Sequence, residues 1–155
     1  MKYLAFEKSV GGVIFREEGG KRLFLLLQYR SGQWDFLKGH TEGGEGELET
    51  LRREIKEESG IGDVHVLTGP RICVRYFYRA WGNEKKERMR EGRGIYIFKK
   101  VVYYPVKTGQ KDIILDHENK DFGWFSLGGC LRRLGNKDSK KVLIKITSFI
   151  KRNSA

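Results

Sequence analysis

The apolar positions of this chain first arrive in short, strand-length runs. SVGGVIFRE (residues 9–17) and KRLFLLLQYR (residues 21–30) are rich in Val, Ile, Leu and Phe, and the EEGG between them carries a hairpin-turn signal. WDFLKG (residues 34–39) reads as a short strand running into a glycine-rich loop. The period then changes. From residue 47 to residue 59, Leu48, Leu51 and Ile55 fall at helical spacing as one apolar stripe, and Gly60 stands where a helix would stop. Strand-like runs resume with DVHVL (63–67), ICVRYFYRAW (72–81), GIYIFKKVVYY (94–104) and DFGWFSL (121–127). Between two of them, GNEKKERMREGRG (82–94) is charged and bounded by glycines, which predicts a mobile hairpin loop. The tail DSKKVLIKITSFIKRN predicts a helix with Val142, Leu143, Ile146 and Ile150 on its apolar face and Asp138 or Ser139 as N-cap. The pattern amounts to an α/β fold: a mixed sheet, one helix within the strand series and one C-terminal helix.

Size and composition narrow the class. At 155 residues, with no linker-like tract or internal repeat, the chain reads as a single domain over residues 1–155. No apolar run approaches the ~20 residues of a membrane span, and LFLLL (23–27) has strand length. The N-terminal MKYLAFEKSV lacks the apolar core of a secretory signal, so a cytoplasmic location is expected. Cys73 and Cys130 are too far apart for a C-x-x-C unit and read as reduced thiols. The net charge of +11 favours anionic partners such as nucleotides, polyphosphates or RNA.

Against that basic background, REIKEE concentrates acid. On a helix the spacing of Glu54, Glu57 and Glu58 puts all three on one face, beside the apolar stripe. They should emerge at the edge of the core, partly desolvated and mutually repelling. A hard divalent cation relieves that conflict, and Mg²⁺ is commonly shared with substrate phosphates. The competing reading is a solvated helix face with pairs such as Glu49–Arg53 at i,i+4. The run alone does not exclude it.

The longer context fits G-x5-E-x7-R-E-U-x-E-E-x-G-U, with U a bulky aliphatic residue. Gly39, Glu45, Arg53, Glu54, Ile55, Glu57, Glu58, Gly60 and Ile61 fill every fixed position. In this the chain resembles the Nudix hydrolases. The resemblance implies an α/β/α sandwich and a loop–helix–loop that binds Mg²⁺ or Mn²⁺. It also implies hydrolysis of a nucleoside diphosphate linked to another moiety. It casts Glu54, Glu57 and Glu58 as metal ligands, with Glu54 alternatively helping to activate water. Arg53 becomes the arginine that orients a glutamate, Gly39 a loop position whose carbonyl reaches metal, and Glu45 a tie between loop and helix.

Two flanking stretches are similar to the asymmetric diadenosine tetraphosphate hydrolases: WDFLKGHTEGGE (34–45) and LDHENKDFGWFSL (115–127). Leu37 stands where that subgroup has proline, and Asn119 replaces its second histidine. The subgroup resemblance implies that Lys38 lies near phosphate, that Glu118 binds metal or acts as general base, and that His40 and His117 contact phosphate. In RYFYRAW, strand alternation puts Tyr76 and Tyr78 on one face and Phe77 on the other. Tyr78 aligns with the subgroup's base-stacking aromatic, with Tyr76 beside it. The basic stretch 85–93 would clamp phosphates or stand solvated. Dinucleoside polyphosphates are the expected substrates. RNA 5′ ends, nucleoside triphosphates or ADP-ribose are alternatives, as is a non-catalytic nucleotide- or RNA-binding module.

Overall fold

The computed structural model describes residues 3–153. Its spine is β1 (Leu4–Glu18), which turns through Gly19 and Gly20, at φ 56° and 77°, into β2 (Lys21–Tyr29). A two-residue loop with both φ positive has the twist that antiparallel strands need, and only glycine enters it freely. The chain continues through β3 (Trp34–Asp35), β4 (Leu37–His40), α1 (Glu47–Ser59), β5 (His65–Val66) and β6 (Ile72–Arg79). Then come α2 (Gly82–Arg90), β7 (Tyr96–Lys107), β8 (Asn119–Phe125), α3 (Leu127–Arg133) and α4 (Lys137–Asn153).

One mixed sheet holds the strands. β1 and β7 run parallel, from Leu4 opposite Tyr96 to Phe15 opposite Lys107. The other edge of β1 is shared: β4 pairs with it at Ser9 to Gly12, and β2 from Phe15 to Glu18. β6 and β5 lie antiparallel along the far edge of β7, and β8 along β2.

Both faces of this sheet are covered, which explains the unbroken LFLLL run. Leu25 and Leu27 join Val10, Ile14, Leu51 and Ile55 under α1. Phe24 and Leu26 join Val13, Phe15, Val142, Leu143, Ile146 and Ile150 under α4. This is the expected α/β/α sandwich. Gly60 ends α1 in the left-handed region at φ 72°, as its position predicts.

Several local expectations need correction. The charged stretch after β6 is helix α2, not a mobile loop. It has no apolar stripe to announce it, but Lys, Glu, Arg and Met are strong helix formers. Arg88, only 3% exposed, anchors it by pairing with Glu7 and with Glu84 one turn earlier, 2.9 Å away. The cap of α4 is Asn136: its Oδ1 accepts from the backbone N–H of Asp138 at 2.8 Å and of Ser139 at 3.3 Å. The Ser139 hydroxyl donates instead to Asp35 Oδ1 at 2.8 Å. WDFLKG divides into β3 and β4, and the end of DFGWFSL opens α3, which was not anticipated. Leu48 is 45% exposed, so it does not complete the stripe. The buried side of α1 is made by Leu51 and Ile55 together with Thr50, Glu54, Glu58 and Ser59.

Candidate active site

That rotation of α1 drives carboxylates against the sheet edge at β4. Gly39 lies opposite Val10 in the β1–β4 ladder. A methyl group at residue 39 would collide with the Glu54 carboxylate, so glycine is needed here for space rather than for its dihedrals. The loop into α1 is tied down by Glu45, whose Oε1 accepts from the Glu42 N–H at 2.9 Å and the Thr50 hydroxyl at 3.0 Å.

Arg53 connects the loop to the acids. Its Nε donates to Glu45 Oε2 at 2.7 Å and its Nη2 to Glu45 Oε1 at 3.0 Å, a two-pronged pair. Nη2 also donates to the His40 carbonyl at 2.9 Å. Nη1 reaches Glu54 Oε1 at 2.8 Å and Glu57 Oε2 at 3.1 Å. The Arg53 guanidinium, with the Glu42 N–H, pulls the Glu45 carboxyl down to about 2. The ion-pair partners of Arg53 among the described residues are Glu42, Glu45, Glu54 and Glu57. The simple Glu49–Arg53 surface pair is not formed.

The inner carboxylates are in a different condition. Glu54 and Glu58 are only 9% and 5% exposed. Burial raises the Glu54 pKa against the pull of Arg53. Burial also pushes Glu58 up to about 8, helped by the negative charges of Glu54, Asp116, Glu118 and Glu57. Glu58 Oε2 is buried with no hydrogen-bond partner. Facing it are Asp116 and Glu118, from the loop before β8, and one oxygen from each of the three carboxylates lies within 4.8 Å of the others. The loop is shaped by Asp116 Oδ1, which accepts from the Glu118 N–H at 2.9 Å and from Asn119 Nδ2 at 3.2 Å. Arg30 Nε holds the His117 carbonyl at 2.6 Å. A buried oxygen with no partner is costly, and three converging carboxylates repel one another. The donor set is one that a hard divalent cation with oxygen preference could occupy, and such an ion would remove both penalties.

A cleft of about 420 Å³ gathers Lys38, Gly39, His40, Arg53, Glu54, Glu57, Glu58 and Glu118. These are most of the residues that the sequence points to. It also includes residues that sequence reasoning missed, notably Asp116, Lys99, Tyr29 and Ser9. Asp116 was visible as the first acid of a D-x-E pair. Lys99 and Tyr29 carried no local signal, because register alone brings β7 and β2 to the cleft. Lys38 stands 3.5 Å from Asp35. Burial and Lys99 lower the pKa of His40, which favours the neutral ring.

Three expected residues lie elsewhere. Tyr76 lines a larger neighbouring cavity of about 620 Å³ that holds no such carboxylate cluster. Tyr78 donates its hydroxyl to Glu84 of α2 at 3.0 Å, and burial with that bond pushes its pKa up to about 12. His117 is exposed and does not line the cleft; its carbonyl accepts from Arg30. Tyr76 and Tyr78 do share one face, with ring centroids 6.1 Å apart, while Phe77 packs on Phe98 at 4.7 Å.

Comparison with known proteins agrees with this geometry. The NUDIX domain family profile matches residues 5–146. An asymmetrical bis(5′-nucleosyl)-tetraphosphatase of Caenorhabditis elegans is 30% identical over 146 residues, covering 92% of this chain and 96% of its own. A crystal structure of a C. elegans Ap4A hydrolase binary complex superposes with a TM-score of 0.76 at 28% identity, over 94% of this chain and 98% of that one. An RNA pyrophosphohydrolase of Halorhodospira halophila is 37% identical over 75 residues, 46% of this chain and 39% of its own.

Proposed function

Because this chain belongs to the NUDIX domain family and is a Nudix hydrolase, we propose that its acidic cleft cleaves dinucleoside polyphosphates, taking diadenosine tetraphosphate to ATP and AMP. The observation that carries this reading is the buried, unpartnered Glu58 oxygen facing Asp116 and Glu118 beside an intact box. Glu54, Glu57, Glu58 and Asp116 would hold the divalent ions, Mg²⁺ or Mn²⁺, with Gly39 packed against the Glu54 carboxylate and Glu118 facing Glu58 and Asp116. When bound, such ions neutralise polyphosphate charge and lower the pKa of water.

The chain's own residues supply the rest. Arg53 is wholly engaged by Glu45, Glu54, Glu57 and the His40 carbonyl, so it positions the acids and is not a phosphate ligand. Lys38 and Lys99 place positive charge along the cleft wall for the phosphate chain. His40 serves as a neutral hydrogen-bonding group. The Glu118 carboxylate is exposed and makes no hydrogen bond among the described residues, which suits it to take the proton of the attacking water. The water oxygen bonds to phosphorus, the bond from phosphorus to the leaving nucleotide's oxygen breaks, and that nucleotide departs as an anion. Tyr78 and Tyr76 offer the rings for a base, and His117 stands between Asp116 and Glu118 on the loop before β8. We take the enzyme to be cytoplasmic, a compartment in which Cys73 and Cys130 would stay reduced. No helix among the described residues is long and apolar enough to cross a membrane.

RNA 5′ ends are the second reading, favoured by the match to RNA pyrophosphohydrolases and by the net charge of +11. A substrate panel with Mg²⁺, resolved by chromatography, separates them. ATP plus AMP from diadenosine tetraphosphate supports the first reading. Preferential release of phosphate or pyrophosphate from triphosphorylated RNA supports the second. No turnover of any substrate overturns both and leaves a binding module.

A further inference from the structure

Outside the acidic cleft, the β1–β7–β6 register lines up three cross-strand rows on one sheet face. Leu4, Tyr96 and Arg79 form the first, Phe6, Phe98 and Phe77 the second, and Lys8, Lys100 and Arg75 the third. Phe6 and Lys8 share strand parity with Val10 and Ile14, which α1 covers further along the same face. Here that cover has ended. Phe6 is 79% exposed, Phe77 54% and Phe98 43%. The rings are already arranged in a row: Phe6 stacks on Phe98 at 5.4 Å and 13°, and Phe77 lies 4.7 Å from Phe98. They line the cavity of about 620 Å³, together with Arg75 and Lys100. Lys8 is held by Glu47 at 2.6 Å, but Arg75 and Lys100 make no ion pair among the described residues.

The alternation of rings and cations identifies the occupant. Successive same-face rows are about 7 Å apart along a strand, a step from flat apolar surface to positive charge that suits a base and its phosphate. A second copy of the chain fits poorly, because face-to-face packing would set the unpaired Arg75 and Lys100 against cations. We propose that this face is a stacking platform for single-stranded nucleic acid. Bases lie on Phe6, Phe98 and Phe77, and phosphates are met by Lys100 and Arg75, on the sheet face opposite to that of Tyr76 and Tyr78.

Fluorescence anisotropy tests this with labelled oligouridylate and oligothymidylate of equal length. Both carry a 5′-hydroxyl, and EDTA is present, so that neither a terminal phosphate nor metal engages the cleft. The expected result is binding that weakens with salt, by either strand or both. The Phe6→Ala/Phe98→Ala double variant should weaken it about tenfold or more, with the melting temperature and diadenosine tetraphosphate turnover retained. Arg75→Ala and Lys100→Ala should each reduce the salt slope by about 0.7. Absence of binding at low salt overturns the proposal. So does equal affinity in the ring variant, or equal affinity for a duplex of the same length, either of which marks charge alone. Self-association in sedimentation that the ring variant abolishes, without oligonucleotide binding, assigns the face to a second copy instead.

Discussion

The two arms of the acidic cleft are built by opposite means. The α1 arm is locked: Arg53 spans Glu45, Glu54, Glu57 and the His40 carbonyl, and Gly39 leaves just enough room for Glu54. The loop arm is held by an Asp116 turn and one Arg30–carbonyl bond, and it ends in an exposed Glu118. The locked arm sets where charge stands before anything binds. The open arm can adjust as ion and substrate enter. Preorganised ligands with a supporting shell are what metal-dependent sites need on one side, and accessible groups for proton transfer are what they need on the other.

Substitutions in the two arms should therefore differ in kind. Glu58→Gln strikes where they meet, and should lower turnover by about 10³-fold or more, the scale of losing a catalytic carboxylate. Because the amide needs no proton to stay neutral while buried, whereas Glu58 must hold one well above its ordinary 4.5, the metal-free variant should melt no lower than wild type. A lower melting temperature with turnover intact would make Glu58 structural. Glu118→Gln should cost about 10²-fold in kcat and leave metal affinity nearly unchanged, as read by Mn²⁺ calorimetry. An equal loss of metal affinity would make the open arm a ligand rather than a base. Arg53→Lys loses the fork that spans four partners, and should weaken metal binding by about 10- to 100-fold. Unchanged affinity would show that the locked arm needs no lock.

The smallest expected effect concerns pH. In metal-free protein, Glu58 holds its proton up to about 8 against an ordinary 4.5. A carboxyl raised on folding stabilises the fold below its unfolded pKa, and that contribution is lost as pH rises through the folded one. The metal-free melting temperature should fall as pH climbs from 4.5 toward 8. Over the same window metal affinity should strengthen, by at most about tenfold per pH unit for one displaced proton. Glu58→Gln should flatten the melting profile. A wild-type profile that is already flat would contradict the burial of Glu58.

How well each region could be read from sequence follows the same division. α1 was legible because its apolar stripe and its spaced acids both obey the helical period. The sandwich was legible because LFLLL and the α4 stripe need covered faces. α2 was not: it is polar all round, and Arg88 is buried only because Glu7, distant in sequence, meets it. Leu48 looked like core, but the helix turns Glu54 and Glu58 inward instead. Asp116 and Lys99 reach the cleft through strand register and a loop turn, which local periodicity does not encode. The base-stacking expectation for Tyr78 rested on alignment, and the structure adds its bond to Glu84.

The most direct measurement is the product balance from diadenosine tetraphosphate and Mg²⁺, with wild type and Glu58→Gln run side by side and an EDTA control. The proposed site predicts equal amounts of ATP and AMP from wild type, none with EDTA, and a deep loss in the variant. Two equivalents of ADP, or cleavage indifferent to EDTA or to the loss of Glu58, would contradict it.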